Sequence, residues 1–259
     1  MVREDVLDRF DRKLESFGIR IKDSDQWKVR GDVFDEATYL ALHRLAHRKM
    51  ITAIGGVVST GKEANIFYGE REDQALAIKI YLMKTANFKA MTEYLDGDPR
   101  FSHIRRTRKD IIFAWARKEF SNLIRAHESG IWVPEPFGFD RNILLMEFLG
   151  EEGHPYPQLR QAHMEDSAQV YQKIVGNIRV LYQEARLVHA DLSEYNILMS
   201  RTGPYFIDMG QSVTLDHPRA LQFLSRDIAN VNRFFKPYCD VIEERELFDL
   251  VTGGRAEEI

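Results

Sequence analysis

The sequence predicts an α+β fold in two lobes, an N-terminal antiparallel sheet followed by a reduced helical lobe. Three observations predict it. Residues 51–81 break into short apolar segments, 51–58, 65–68 and 75–81, separated by turn residues, which is the pattern of an antiparallel meander. Residues 166–187 place Val170, Ile174, Ile178, Leu181, Tyr182 and Ala185 on one stripe at helical spacing, the core helix of a second lobe. That helix runs into 187–210, LVHADLSEYNILMSRTGPYFIDMG, where polar side chains stand at the ends of short apolar strands.

At 259 residues the chain is long enough for a large core. Charged residues make up 29% and the formal net charge is −4, so no nucleic-acid or membrane partner is written into the overall charge, and any basic surface must be local. Cys239 is the only cysteine, which excludes an intramolecular disulfide or a thiolate cluster and fits a reducing, cytoplasmic compartment. No apolar run approaches the ~20 residues of a membrane span, and the opening MVREDVLDRF is too charged for a signal peptide, so no membrane association is expected.

Residues 1–50 read as a helical extension. Val6, Leu7, Phe10, Leu14 and Phe17 fall at helical spacing, and Gly18 supplies a stop. A second helix follows from about residue 35, with Leu40, Ala41 and Leu45 facing inward and Arg44, Arg48 and Lys49 elsewhere. His43 and His47 are four apart on it, but no third ligand is evident. The reading is a solvated basic helix end, favoured by the macrodipole, with RNA or protein contact by this face left open.

The first turn of the meander reads GGVVSTGKEANIFYG and nearly matches the P-loop pattern from Gly56. Glu63 stands where Mg²⁺ needs a hydroxyl, and a strand follows where a P-loop requires a helix N-terminus. Aligned on the kinase loop G-x-G-x-x-G-x-V instead, Ser59, Gly61 and Ala64 fall on the glycine positions and Ile66 on the valine, small residues that permit close approach to phosphates. Lys79, in ALAIKIY, sits on the next strand but one. Apolar neighbours make it costly without an anionic partner, so it is assigned to the α and β phosphates of ATP. Its carboxylate should lie on the helix 111–126, whose only acid is Glu119.

Residues 82–110 form a long connection carrying Gly97, Pro99, Arg100, Arg105, Arg106, Arg108 and Lys109, with Ser102 and Thr107 among the bases. A solvated loop, an RNA- or partner-contacting arm and a self-phosphorylation site are all compatible with it. After a Pro-rich turn, VPEPFGF, the strand 143–148 leads into a hinge-like connection. There adenine would bond the backbone of Glu147, Phe148 and Leu149, with Met146 at the back of the pocket. Beyond Gly210 one helix is expected, from Arg226, with Ile228, Val231, Phe234 and Phe235.

Asp191 and Asn196 are five apart after an apolar strand, and Asp208 ends a returning one. Phosphoryl transfer needs a carboxylate at the acceptor oxygen and an Asn plus an Asp on the metal, because its transition state is stabilised mainly by positioning and charge neutralisation. HxDxxxxN followed by Asp-x-Gly is that set, so the fold class sharpens to a protein-kinase-like one: an N-terminal lobe over 51–148, including the loop 82–110, and a C-terminal lobe over 149–259.

Four ordered motifs, STGKEAN (Ser59, Thr60, Gly61, Lys62, Glu63, Ala64, Asn65), the lysine of AIKIY, HADLSEYN and IDMGQSV, resemble the RIO family of atypical serine protein kinases, and more narrowly its type-one, archaeal-like branch. The resemblance implies a kinase or ATPase using ATP with Mg²⁺ (or Mn²⁺), self-phosphorylating, and acting on the pre-small-subunit ribosomal particle. The basic loop and the N-terminal helix would supply rRNA contact. It makes Asp191 the catalytic carboxylate, Asn196 and Asp208 the metal ligands, Lys79 with Glu119 the ion pair, and Asp208 a candidate phosphate acceptor. Ala190 replaces the arginine that kinases place before the catalytic Asp, so a switch by activation-loop phosphate is not expected; Ser193 replaces a lysine that steadies the γ-phosphate, so transfer to a peptide is expected to be slow; and no Ala-Pro-Glu motif follows Gly210, so an ordinary peptide cleft is not expected. The alternatives are a small-molecule phosphotransferase of the aminoglycoside or choline kinase kind, and a non-catalytic, nucleotide-gated assembly factor.

Overall fold

The computed structural model describes residues 14–21, 35–83 and 88–254. Most of the helix expected over 1–17 therefore lies outside the described residues, as do 84–87 of the long connection. The chain clusters into two compact units. The first takes the described parts of Met1–Thr92, with His103–Phe120 and Pro136–Pro155; the second takes Glu93–Ser102, Ser121–Glu135 and Tyr156–Ile259. Residues 93–102 and 121–135 thus cluster with the second unit.

In the first unit, strands β1 (Arg20–Ile21), β2 (Ala53–Thr60), β3 (Ala64–Arg71), β4 (Gln74–Tyr81), β5 (Pro136–Asp140) and β6 (Ile143–Glu147) form one sheet in the order β1-β2-β3-β4-β6-β5. Every pairing is antiparallel except that of β1 with β2. β4 is buried on both faces from Leu76 to Tyr81, which is why its sequence reads as a near-continuous apolar run. β3 and β4 approach closely at Gly69, where a Cβ would stand 2.4 Å from Ile78 Cδ1. β5 occupies most of the segment expected to be a Pro-rich turn, 133–139, and runs on to Asp140. Leu144 and Leu145 of its neighbour are fully buried, and the ladder continues across Pro136 by way of a register shift.

Helix α1 (Glu36–His47) begins where the Asp35 carboxylate accepts from Thr38 N at 2.8 Å. Its inner face is Ala41, Leu42 and Leu45; Leu40, expected there, is 43% exposed, because the buried stripe steps from 38 to 41/42 to 45. His43 packs edge-on against Phe17 with ring centroids 4.8 Å apart. Thr38 Oγ1 accepts from Asn142 Nδ2 at 2.7 Å, tying α1 to the turn before β6. Leu42, Leu45, Ile54, Phe67, Ile78 and Leu145 form the shared core.

The long connection is more structured than a loop. Helix α2 (Phe88–Asp96) and a 3₁₀ turn (Pro99–Phe101) occupy much of it, and Met91, Leu95 and Phe101 are buried. Helix α3 (Arg108–Glu128) follows, with Ile112, Trp115, Ala116, Glu119, Leu123 and Ala126 on its buried stripe. A small hairpin, β7 (Gly150–Glu151) with β8 (His154–Pro155), closes the first unit.

In the second unit, helix α4 (Ser167–Gln183) starts at Asp166, whose carboxylate accepts from Gln169 N at 2.9 Å. β9 (Leu187–Val188) pairs with β12 (Val213–Thr214), and β10 (Ile197–Met199) forms a hairpin with β11 (Pro204–Phe206). Helix α5 (Ala220–Phe235) begins six residues before the expected start, since Ala220, Phe223 and Leu224 extend the stripe of Ile228 and Val231. A further helix, α6 (Glu244–Thr252), ends at Gly253, which takes the left-handed conformation at φ 70°. Tyr171, Ile174, Ile178, Leu181, Phe235 and Leu247 build the core. Tyr171 donates its hydroxyl proton to Asn232 Oδ1 at 2.8 Å and accepts from Ile242 N at 3.1 Å.

Candidate active site

The Gly-containing turn joins β2 to β3. Ser59 pairs with Ile66 and Thr60 with Asn65, and Gly61 N donates to Ala64 O at 3.0 Å. The buried side chain of Asn65 turns its Oδ1 back to Gly61 N at 3.3 Å. Ser59, Thr60, Gly61 and Lys62 are exposed and Glu63 is half-buried, with its carbonyl accepting from Leu82 N at 2.8 Å. The turn is thus a closed hairpin tip with a rim of small and polar groups.

On β4, the strand beside β3, Lys79 pairs in register with Leu144 and Ile66. Its Nζ lies 2.8 Å from both Glu119 oxygens, and Glu119 is fully buried. The acid falls on the buried stripe of α3 one turn after Trp115, so the helix period itself carries it inward. Met146 lies opposite Ala77, Glu147 opposite Leu76, and Phe148 packs edge-on against Tyr68 at 5.1 Å. Met146, Phe148 and Leu149 are buried.

In the second unit, β9 delivers His189, Ala190 and Asp191. His189 is buried and donates Nε2–H to Ile207 O at 3.0 Å; burial lowers its pKa to about 4, so it is neutral near pH 7. Ala190 and Asp208 both take positive φ, 66° and 63°, in the region that side-chain-bearing residues seldom adopt. Such strain persists where neighbours over-determine it. At Ala190 they are easily named. Asp227, on the buried stripe of α5, accepts from Ala190 N at 2.7 Å and from Leu192 N at 2.9 Å, clamping the backbone on both sides of Asp191. Arg226 donates to the Ala190 carbonyl. A cation thus stands beside this turn although position 190 carries none.

Asn196 Nδ2 donates to Asp191 O at 2.8 Å and to Asp191 Oδ2 at 3.2 Å, and Gln211 Nε2 donates to the same Oδ2 at 2.9 Å. Ile207 N donates to Asn196 O at 3.0 Å, joining the two polar ends of the hairpin. Asp191 is pushed above the usual carboxylate range by burial first and by Asp208 second, against Arg226, Asn196 and Gln211, which favour its ionised form. Among the described residues no three His, Cys, Asp or Glu side chains converge on a metal position. The set here is two carboxylates and an amide whose nitrogen makes both its bonds to Asp191, so its oxygen is the end that suits a hard cation.

Sequence reasoning missed Asp227, Arg226, Gln211 and Asn122. Asn122 is buried on α3 and donates Nδ2 to Met209 O at 2.9 Å and Ser212 O at 2.8 Å, holding the turn after Asp208. Its Oδ1 accepts from Arg100, which forks onto the buried Asp98 at 2.6 and 2.9 Å. Arg100, read as one of a run of loop bases, is a structural residue.

A helical segment behind a strand pair, with HxDxxxxN and Asp-x-Gly brought together, defines a protein-kinase-like catalytic unit. The RIO domain family matches residues 65–247. The chain is 40% identical to the RIO-type serine/threonine-protein kinase Rio1 of Haloferax volcanii, over 99% of this chain and 90% of that one. It is 38% identical to Rio1 of Methanocaldococcus jannaschii, over 90% of this chain and 80% of the relative. It is also 40% identical to the serine/threonine-protein kinase RIO1 of Homo sapiens over 93% of its length, although it spans only 44% of that longer protein. Among solved structures it is similar to the Rio2 kinase of Chaetomium thermophilum in an ADP/Mg²⁺-phosphoaspartate complex, with a TM-score of 0.63 and 26% identity over 83% of this chain and 66% of that one. The chain belongs to the RIO family of atypical serine/threonine protein kinases, in its type-one, archaeal-like branch. Among the described residues no helix is long and apolar enough to cross a membrane.

Proposed function

We propose that this chain transfers the γ-phosphate of ATP with Mg²⁺ (or Mn²⁺), acting on a serine, on itself or on water. The observation that carries the reading is the Asp191 cluster: a half-buried carboxylate held by Asn196 and Gln211, with Asp208 near enough to raise its pKa. In the first unit, Lys79 takes the α and β phosphates and Glu119 keeps the ammonium in place. The tip 59–65 covers the phosphates, and the backbone of 147–149 takes adenine with Met146 behind it. In the second unit, Asn196 Oδ1 and the Asp208 carboxylate hold the metal, which supplies charge neutralisation on the phosphates when bound. Asp191 accepts the proton of the attacking hydroxyl while that oxygen bonds to the γ-phosphorus and the bridging bond to ADP breaks. Neutral His189 anchors the strand to Ile207 and takes no part in the proton transfer.

The Rio2 kinase of Chaetomium thermophilum forms a complex with ADP/Mg²⁺ that holds a phosphoaspartate, which supports an aspartate as phosphate acceptor, and Asp208 is the candidate in this chain. Family membership supports a cytoplasmic role on the pre-small-subunit ribosomal particle. RNA contact through the exposed Arg105 and Lys109, and through Arg48 and Lys49 past the end of α1, fits that role. The test is to follow labelled γ-phosphate in the presence of small-subunit particles. Label on serine, on Asp208 or in free phosphate, all dependent on Mg²⁺, supports the reading. Transfer only to an aminoglycoside or amino alcohol would replace it with the small-molecule alternative, and no transfer at all with the non-catalytic one.

A further inference from the structure

Gln211 stands three residues after Asp208. Its amide nitrogen and that of Asn196 both donate to Oδ2 of Asp191, at 2.9 and 3.2 Å. An ionised carboxylate only accepts, so the nitrogen end of each amide must face it. Two donors on one oxygen fix the rotation of the carboxylate about its Cβ–Cγ bond. Both hydrogen bonds land on Oδ2, which leaves Oδ1 as the oxygen oriented for the reaction.

The direction of Gln211 is itself fixed. Asn122 bonds the carbonyls of Met209 and Ser212, one on each side of Gln211, at 2.9 and 2.8 Å, and Ser212 N donates to Met209 O at 3.2 Å to close the turn. Asn122 is fully buried, so water does not substitute for those bonds. The backbone is clamped around Gln211, and what remains free is the side chain that reaches Asp191.

We infer that Gln211 is a positioning residue, which holds Asp191 so that Oδ1 rather than Oδ2 receives the proton of the phosphate acceptor. The inference rests on the reading of Asp191 as the catalytic carboxylate. It assigns work to a glutamine of the turn after Asp208 where only Asp208 carried a role. A packing role makes a different prediction, because it links activity to stability and substrate affinity together.

The experiment compares the full chain with Gln211→Leu, Gln211→Glu, Asp191→Asn and the double variant Asp191→Asn/Gln211→Leu, measuring Mg²⁺-dependent release of labelled γ-phosphate, KM for ATP and the thermal midpoint. Both Gln211 variants should lower kcat about 10- to 100-fold, the scale of a misplaced base, with KM and midpoint unchanged. In the Asp191→Asn background Gln211→Leu should remove nothing more. Gln211→Glu keeps the volume and loses the donor, so full activity in that variant would assign Gln211 to packing and overturn the inference. A loss of kcat matched by raised KM and a lowered midpoint, or losses that multiply in the double variant, would overturn it as well. Turnover lost in Asp191→Asn but kept in both Gln211 variants would overturn this inference alone, whereas full turnover by Asp191→Asn would remove the functional reading and this one with it.

Discussion

Lys79 Nζ reaches both oxygens of Glu119 at 2.8 Å, a forked ion pair with side chains 8% and 0% exposed that ties the central strand of the sheet to α3. Taking two charges out of water is expensive, and removing one partner is worse than removing both, because it leaves a buried charge uncompensated. Glu119→Gln should therefore destabilise the protein by about 3–5 kcal/mol. The double variant Lys79→Met/Glu119→Leu should recover most of that loss yet bind Mg²⁺-ATP far more weakly than the native chain. Urea midpoints set beside nucleotide dissociation constants check both halves. Recovery of nucleotide binding in the double variant would mean that the pair serves stability alone.

Asp227 makes a prediction in pH. Burial pushes its carboxyl up to about 7, against the N–H groups of Leu192 and Ala190 and the Arg226 guanidinium, all of which favour the ionised form. A raised folded pKa means the folded chain holds a proton that the unfolded chain has released above about 4, so this contribution to stability declines as pH rises from about 4 through 7. His189 has the opposite sign: its pKa, lowered to about 4, gives stability that is present above about 6.5 and lost as pH falls toward 4. The two overlap, so only a difference measurement separates them. Unfolding free energies of native and Asp227→Asn protein between pH 4 and 8 should diverge, the native chain losing more stability toward the alkaline end. Parallel profiles would show that Asp227 does not titrate in this window.

The segment around residue 100 is predicted to resist protease unevenly. Arg100 is fixed to Asp98 and Asn122, whereas Arg105 is exposed in a stretch with no regular structure. Brief trypsin treatment should cut after Arg105 well before it cuts after Arg100. Asn122→Ala should open the Arg100 site, because it removes one acceptor of that guanidinium and frees the turn carrying Gln211. Mass spectrometry of the first fragments settles the order, and early cleavage after Arg100 in the native chain would contradict the anchoring role.

What was legible in the sequence depended on whether a residue carried its own signal. Lys79 was visible because a cation interrupts an apolar strand, Glu119 because it is the only acid within 111–126, and Asp191, Asn196 and Asp208 because their spacing is a motif. Asp227 and Asn122 carried a weaker signal that went unused: each is a polar residue on the buried stripe of its helix, beside Ile228 and Leu123. Arg100 was hidden by its basic neighbours, although Asp98 two residues earlier was there to pair with it. Leu40 was misplaced by one step of the helix period. β1 and β5 escaped because two residues, or a run opening on Pro136, carry too little alternation to register as strands.

Asp191, Asn196 and Asp208 are proposed to form a metal-dependent phosphoryl-transfer centre. Its most direct test is the rate of Mg²⁺-dependent γ-phosphate release from ATP by the native chain, Asp208→Ala and Asp191→Ala, with nucleotide binding measured on the same preparations. Asp208→Ala should abolish turnover, and Asp191→Ala should still bind nucleotide but turn over at least ~10²-fold more slowly, the scale for losing one general base. Full turnover by either variant would contradict it.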